Sequence, residues 1–196
     1  MSAIGFLAEP EPNAEAERIF KDDVADLGYV MNVSRLWAYQ PAILNHLFDL
    51  MGETHAVESL SFRERGILVT ACASTLGDAY CSLAWGTKLA NKFDAETAAG
   101  VLRGDDARLS PQEEALARWA RHVARDPNHT SAADVQALRD AGFSDARIFA
   151  ITAYVALRIA FSTVNDALGA RPDAAYRSTA PVAVRQAVTY GRAIED

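Results

Sequence analysis

Hydrophobic positions recur every three to four residues along almost the whole chain, which is the spacing of an amphipathic α-helix. No convincing stretch alternates apolar and polar residues with the period of two that indicates a half-buried strand. The segment RGILVTACASTL predicts a long apolar helix. Gly77 interrupts it, and Asp78 then opens a second helix, AYCSLAWGTKLANK. The pattern therefore predicts an all-α protein.

Capping residues divide this pattern into individual helices. Ser61 and Glu64 have the spacing of a capping box, and Ser110 precedes a proline at the first helical position. Another helix is predicted to begin at Ser34, to bend or restart at Pro41, and to stop at a glycine. Glycines are expected to end several of the helices, at Gly28, Gly52, Gly104, Gly142 and Gly169.

The segment from Ser144 to Gly169 is apolar on nearly every side, which predicts a central, buried helix. Polar residues nevertheless share one of its faces, at i, i+4, i+8 and i+11: Tyr154, Arg158, Ser162 and Asn165. Unpaired buried polar groups cost about 1–3 kcal/mol, so these side chains need partners. They either bond a neighbouring helix or subunit, face water, or line a pocket, and Asp78 is a candidate partner for Arg158.

The length of 196 residues predicts a single all-α domain over residues 1–196. Its core is expected at about residues 28–170, with residues 1–27 and 171–196 as peripheral helices and arms, the last segment forming a surface helix. The net charge of −7 repels phosphate, so neither nucleic acid nor an anionic membrane is an expected partner. No apolar run reaches the roughly 18 residues of a membrane span, and the N-terminus lacks the basic start of a secretory signal.

Two cysteines, Cys72 and Cys81, are too few for a disulfide framework and are expected to be reduced thiols in a cytoplasmic protein. Cys81 falls in the first turn after Asp78, where backbone amides and the helix dipole favour a thiolate. The Asp78 carboxylate caps the same amides and disfavours a second anion nearby. Neither a metal nor another cofactor is predicted, because no pair of histidines has metal-ligand spacing among His46, His55, His122 and His129.

Three stretches carry a resemblance to a known family: LGYVMNVSRLWAYQPAILNHLFDLM, SFRERGILVTACASTLGDAYCSLAWGTKLA and DVQALRDAGFSDARIFAITAYVALRIAFSTVNDALG. In this order they resemble the peroxidase-related branch of the alkylhydroperoxidase D and carboxymuconolactone decarboxylase superfamily. The resemblance covers about residues 5–175, and GFSDARI and VNDALG are among its more specific marks. It implies an alkylhydroperoxidase D-like helical bundle that assembles as a homo-oligomer, a dimer, trimer or hexamer.

The redox members of that superfamily carry a glutamate, then two cysteines and a histidine along one motif. Glutamate and histidine relay a proton, the nearer thiolate attacks peroxide, and the two cysteines close a disulfide. The four positions hold Gly66, Asp78, Cys81 and Trp85 in this sequence, so Cys81 is the one match. Glu64 lies two residues from the glutamate position, about 200° around the helix. The dithiol mechanism is therefore not carried over to this chain.

The resemblance leaves open three functions for a site near Cys81. The first is an antioxidant oxidoreductase that uses Cys81 alone, with an external thiol as the resolving partner. The second is a non-redox decarboxylase or lyase in which Asp78 is the general acid or base, Arg158 holds an anionic substrate, and Tyr80 and Trp85 form the wall. The third is a non-catalytic oligomer that binds a small ligand.

The space around the positions that match the redox motif, Asp78, Cys81 and Trp85, distinguishes the second function from the third. An open cavity bordered by Asp78, Cys81 and Arg158 favours the enzyme, and a site plugged by Trp85 favours the non-catalytic protein. Asn165 matches a superfamily position in the long helix and completes the set of candidate substrate-binding residues.

Overall fold

The computed structural model describes residues 3–57 and 60–196, and the side chains of residues 5–54 and 60–196. A two-stranded antiparallel hairpin comes first, formed by β1 (Ala3–Ile4) and β2 (Leu7–Ala8). The helices of the first half are α1 (Ala14–Leu27), α2 (Asn32–Trp37), α3 (Pro41–Val57), α4 (Phe62–Leu76) and α5 (Ala79–Lys92). They are followed by α6 (Ala95–Arg103), α7 (Pro111–Arg125), α8 (Ala132–Asp140), α9 (Asp145–Ala167), α10 (Tyr176–Thr179) and α11 (Val182–Ala187). A 3₁₀ turn at Pro127–His129 joins α7 to α8. The all-α prediction is confirmed, and the short hairpin is the part of it that the sequence pattern missed.

The predicted caps are present at the helix ends. Capping boxes begin α4 at Ser61 and α7 at Ser110, each closed by a glutamate three residues later. Gly28 ends α1 with a φ of 84°, and Gly77 ends α4 with a φ of 75°. Asp78 then caps α5, so the break between α4 and α5 lies where the sequence placed it.

Two predicted boundaries are wrong. Helix α3 does not stop at Gly52 but continues to Val57, and α2 begins at Asn32 rather than Ser34. Gly52 does not adopt the positive φ of the other helix-ending glycines, and no atom crowds it, so the helix runs through it. At the C-terminus the expected surface helix is limited to α10 and α11, and residues 188–196 are not helical.

The core is built around α4, whose residues from Gly66 to Ala73 are all buried. Helix α4 contacts α5, α6, α7 and α9, and α9 also contacts α3 and α7. The prediction that α9 is buried on every side is wrong, because Phe149 is 76% exposed and a line of small apolar residues follows it to the helix end. The central helix is therefore α4, and α9 has one face on the surface.

Helix α9 is also long and apolar enough to cross a membrane, with a mean hydropathy of 1.5 over its most apolar window. Half of that window is buried inside the protein, and the buried side chains include Arg158. A charged residue in the middle of a membrane span is costly. Helix α9 is accordingly packed into the core of the protein on one side.

Candidate functional site

A cavity of about 260 Å³ lies between helices α1, α2, α3, α5 and α9. Cys81 and Arg158 both line it, and exposed Asp22 and Lys88 place its opening at the surface. Its wall includes five aromatic residues, Trp37, Phe48, Tyr80, Trp85 and Phe161. Trp85 forms part of this wall and does not fill the space, so the site is open.

Cys81 sits in the first turn of α5 because Asp78 caps that helix, accepting a hydrogen bond from the Cys81 amide at 2.9 Å. The thiol is 2% exposed and accepts hydrogen bonds from Arg158 Nη2 at 3.4 Å and Ser162 Oγ at 3.7 Å. Burial raises the pKa of the Cys81 thiol far above its usual value, and the Asp78 charge raises it further. Arg158 and Ser162 offset only part of this, so Cys81 is a neutral thiol at pH 7.

Asp78 is fully buried but is not among the side chains that line the cavity. Its Oδ1 caps α5, and its Oδ2 has no hydrogen-bond partner among the described residues. The suggested ion pair with Arg158 is absent from the described side chains. Asp78 therefore caps α5 and does not line the cavity, so its carboxylate is not in contact with the space that a bound molecule would occupy.

Arg158 is 4% exposed and has no carboxylate partner among the described residues. Its Nη1 donates to the Met51 sulfur at 3.8 Å, and its Nε has no partner in the described part of the chain. The guanidinium carbon lies 5.7 Å from the centre of the Trp85 ring and 5.1 Å from that of Phe161. The arrangement stabilises the cation through aromatic faces and sulfur atoms rather than through an oxygen anion.

Tyr80 and Trp85 both lie in the cavity wall, as the second function requires. The Tyr80 hydroxyl donates to the Asp173 carboxylate, and burial together with that carboxylate raises the pKa of Tyr80. Asp173 also accepts from the Asn32 amide at 2.7 Å, which ties the start of α2 to this tyrosine. Tyr80 is therefore held in one orientation and stays protonated.

Asn165, the remaining candidate, does not line the cavity. It is fully buried, and its Oδ1 accepts a hydrogen bond from the Trp37 indole nitrogen at 2.8 Å. Trp37 in turn stacks on Phe161, with ring centres 5.6 Å apart. Asn165 therefore positions an aromatic wall rather than touching a molecule in the cavity.

Lys88 is the main site residue that the sequence reasoning missed, together with the wall residues Trp37, Phe48 and Phe161. Its Nζ lies 5.3 Å from the centre of the Trp85 ring, and it lines the cavity beside Arg158. A sequence signal existed, because Lys88 follows Cys81 by seven residues and Trp85 by three on the same face of α5. The wall residues of α2 and α3 had no comparable signal.

The positions that the redox motif uses elsewhere are occupied differently here. A Cβ on Gly66 would come within 3.0 Å of Leu89, so that position packs closely against α5. Glu64 accepts from the Ser61 amide in the capping box and from Arg147 at 2.6 Å, which confirms that it is a structural residue. Cys72 is a second free thiol, buried on α4 and away from the cavity lining.

The three histidines whose side chains the structure describes do not line this cavity. His122 pairs with Asp134 at 3.3 Å, His129 pairs with Asp126, and His46 is exposed. The side chain of His55 falls outside the described residues. Within the described part of the chain, no group of three or more histidine, cysteine or acidic residues is placed to hold a metal ion.

Comparisons of the sequence find no matching family model and no matching curated protein. Solved structures, in contrast, share its fold. An uncharacterized peroxidase-related protein from Ralstonia eutropha JMP134, described as an alkylhydroperoxidase AhpD core, is similar with a TM-score of 0.72 and 22% identity, over 90% of this chain and 96% of that one. A peroxidase-related protein from Silicibacter sp. TM1040 gives a TM-score of 0.77 and 22% identity, over 91% of this chain and 96% of its own.

A third similar structure is a cysteine-to-alanine variant of the debrominase Bmp8 in complex with 2,3,4-tribromopyrrole. Its TM-score is 0.64 and its identity 16%, over 96% of each chain. Identities in this range establish the fold alone. These neighbours confirm the prediction that the chain has the all-α fold of the alkylhydroperoxidase AhpD core, as found in peroxidase-related proteins.

Proposed function

We propose that this protein is a peroxidase-related protein of the AhpD-like kind whose cavity binds a small organic molecule in front of Cys81, and that it does not carry out a dithiol peroxidase reaction. One observation supports the proposal above all. An aromatic cavity reaches Cys81, while Asp78 and Trp85 occupy the positions of the first cysteine and the histidine. Cys72 is a poor substitute for the missing thiol, because burial raises its pKa to about 12 and it does not line the cavity.

The size and lining of the cavity fit a single-ring molecule. Its volume is about 260 Å³, and an apolar cavity of roughly 150 Å³ already holds benzene. Aromatic walls with a few convergent polar groups are typical of small-molecule sites. Here the polar groups are the Cys81 thiol and the Arg158 guanidinium.

Binding is tested by titrating the protein with neutral single-ring probes, benzamide and 2,3,4-tribromopyrrole, in a calorimeter. Ala84 lines the cavity, so Ala84→Phe should fill it and abolish binding. Ala133→Phe, on the exposed surface of α8, adds the same ring elsewhere and should leave binding unchanged. Equal binding by wild type and folded Ala84→Phe, or no binding of either probe, contradicts the proposal.

The absence of a dithiol cycle is tested with hydrogen peroxide and dithiothreitol. We expect no peroxide consumption beyond the uncatalysed reaction of dithiothreitol, because the neutral Cys81 thiol is a weak nucleophile. Catalytic turnover that is lost in Cys81→Ser would restore the antioxidant oxidoreductase reading.

A second candidate function is reduction of the bound molecule through Cys81 alone. The observation that favours it is a single thiol facing an aromatic cavity, in a fold shared with a debrominase. In this reaction the Cys81 sulfur would take a bromine from carbon as a sulfenyl bromide, and the thiol proton would replace that bromine on the ring. One external thiol would then displace bromide to form a mixed disulfide with Cys81, and a second would release the Cys81 thiol and leave with the first as a disulfide.

This candidate predicts bromide release when the protein is incubated with 2,3,4-tribromopyrrole and dithiothreitol. Release should be lost in Cys81→Ser and retained in Cys72→Ser, since Cys72 does not reach the cavity. No bromide above the protein-free control, or the same release from Cys81→Ser, excludes single-thiol debromination.

Homo-oligomerisation and a cytoplasmic location are further parts of the proposal. The exposed positions of α9 from Phe149 onward are Phe149, Ala156, Ala160, Thr163 and Ala167, none of them charged. A stripe of this kind suits the same stripe of a second copy across a two-fold axis. The free, buried thiols agree with a reducing compartment.

A further inference from the structure

Arg158 differs from Arg63, Arg121 and Arg147, which are partly buried, in what it is paired with. Arg63, Arg121 and Arg147 each form an ion pair with a carboxylate, at 2.5, 2.6 and 2.6 Å. Arg158 is more deeply buried than any of these and has no carboxylate within 4.0 Å among the described residues. A buried charge without a counter-ion is costly, so a counter-ion is what this site lacks.

The groups that do contact Arg158 leave most of its hydrogen-bonding capacity unused. A guanidinium has five N–H donors, and here two contacts go to the sulfur atoms of Met51 and Cys81, which are weak acceptors. The Nε atom has no partner in the described part of the chain. Since Arg158 lines the cavity, an anion placed there can accept the remaining donors, and a carboxylate matches their fork geometry.

Lys88 supplies a second positive charge to the same wall. Arg158 and Lys88 both lie over the Trp85 ring, at 5.7 and 5.3 Å from its centre. Desolvation lowers the pKa of Lys88, and repulsion from Arg158 lowers it further, with Asp26 acting in the opposite direction. The two cations are therefore close enough to repel each other, and an anion between them would relieve that repulsion.

The acidic groups around the cavity do not form ion pairs with Arg158 or Lys88 among the described residues. Asp22 and Asp23 line it from α1, where Asp22 is exposed and Asp23 accepts a hydrogen bond from the Met31 amide. Asp78 caps α5, and Asp173 is held by the Tyr80 hydroxyl and the Asn32 amide, so neither pairs with Arg158. The positive charge thus lies on the α5 and α9 side of the cavity, and the negative charge lies on the α1 side.

We infer that Arg158 and Lys88 form an anion-binding subsite on Trp85, so that the cavity takes a small organic anion, in the simplest case a single-ring carboxylate. The inference rests on the proposed function, because it assigns a charge to the molecule that the Cys81 cavity binds. The aromatic walls hold the ring, and the carboxylate meets the guanidinium beside the thiol. The chemical class is a planar monoanion small enough for about 260 Å³.

The test compares benzoate with benzamide, which has the same shape without the charge, by calorimetric titration at pH 7. Benzoate should bind wild type at least about tenfold more tightly than benzamide, as expected of a charge-assisted pair. Arg158→Met should remove this preference while benzamide binding persists. Lys88→Met should weaken benzoate binding by about threefold, because Lys88 is exposed and screened. Lys92→Met, one turn further along α5 and outside the cavity lining, is the matched control and should change nothing.

The outcomes separate this inference from the proposed function. Equal binding of benzoate and benzamide overturns the anion subsite and leaves the neutral cavity standing. If 2,3,4-tribromopyrrole binds but neither benzoate nor benzamide does, the anion subsite is overturned and the cavity stands; binding of none of the three overturns both proposals. If Arg158→Met does not fold, as judged by circular dichroism, the wild-type comparison and Lys88→Met still decide the question.

Discussion

The Asp78 carboxylate suppresses ionisation of the Cys81 thiol three residues away. Its Oδ1 occupies the Cys81 amide, which would otherwise stabilise a thiolate at a helix N-terminus. Its negative charge and the burial of the thiol both raise the pKa of Cys81. A residue in the place of the superfamily's first cysteine therefore keeps the second one in its neutral form.

Replacing Asp78 with asparagine should make Cys81 more reactive. The asparagine side chain would keep a good N-cap, while the loss of the negative charge lowers the pKa of Cys81. The measurement is the rate of iodoacetamide alkylation at pH 8 in a Cys72→Ser background, where Cys81 is the one remaining thiol. Each pKa unit gives roughly a tenfold change in thiolate population, and we expect a several-fold increase.

A substitution at another helix cap controls for local loosening. Asp94 caps α6 through the Thr97 amide at 2.7 Å, so Asp94→Asn makes the same chemical change at another helix. It should leave the alkylation rate of Cys81 unchanged. An Asp78→Asn rate at or below that of the Asp94→Asn protein contradicts the electrostatic account.

Asp166 gives the fold a pH dependence of its own. Burial and the charge of Asp78 raise the pKa of Asp166 to about 6, with Arg192 acting the other way. Between about pH 4 and pH 6 the folded protein therefore holds a proton that the unfolded chain has released. This contribution to stability is present at low pH and is lost as the pH rises through 6.

Asp166→Asn should consequently raise the melting temperature at pH 7.5 and leave it nearly unchanged at pH 4. Asp134→Asn should change the melting temperature at pH 7.5 in the opposite direction, because hydrogen bonds from Ser131 lower the pKa of Asp134. That variant should lose stability at pH 7.5 and little at pH 4. Melting curves at the two pH values check both, and a stabilisation by Asp166→Asn that is the same at pH 4 and 7.5 rules out ionisation as its cause.

At the scale of elements, the C-terminal segment is fastened to the turn between α4 and α5. Tyr190 donates to Ser82 at 3.0 Å, and Arg192 donates to the Asp166 carbonyl at 3.0 Å. Between them Gly191 has a φ of 69°, and a Cβ there would lie 2.5 Å from the Gly77 carbonyl oxygen. The segment thus packs directly on the turn that presents Asp78 and Cys81.

Gly191→Ala should therefore destabilise the protein by about 2–5 kcal/mol, the sum of left-handed backbone strain and steric overlap. Gly104→Ala separates the two causes, because Gly104 has a similar φ of 80° but no atom within 4 Å of its added Cβ. It should cost only about 1–2 kcal/mol. Urea unfolding measures both values, and equal losses would mean that the close approach of the segment contributes nothing.

The helices were predictable wherever a side chain marks their ends. Ser61, Ser110 and Asp78 each satisfy amide groups that the helix leaves free, so the signal is local and the structure follows it. Gly52 shows where the prediction of helix ends from glycines fails. A glycine ends a helix when its neighbours favour a positive φ, and nothing in the sequence separates Gly52, inside α3, from Gly28 or Gly104, which end α1 and α6.

At the scale of the whole molecule, the site joins segments that are distant along the chain. The polar face of α9 was visible in the sequence, but whether each of its side chains lines the cavity depends on tertiary neighbours. Arg158 lines the cavity, while Asn165 holds Trp37, which is 128 residues away. The aromatic walls from α2 and α3 and the acidic side from α1 follow from packing, which no local pattern encodes. The sequence therefore indicated Cys81 and Arg158 as candidate residues, and the cavity that both line follows only from the packing of distant segments.

The exposed face of α9 is the predicted contact between copies of this protein. Phe149 is 76% exposed and begins an uncharged stripe along the helix, an unusual feature for a surface that faces only water. Phe149→Glu would bury a charge in any interface between two such stripes, at a cost large enough to dissociate it. Light scattering after gel filtration should show an oligomer for wild type and a monomer for Phe149→Glu. Val182→Glu makes the same change at a 58% exposed site on α11 and should stay oligomeric. A monomeric wild type, or a Phe149→Glu protein of unchanged mass, would mean that the α9 stripe is not the contact between copies.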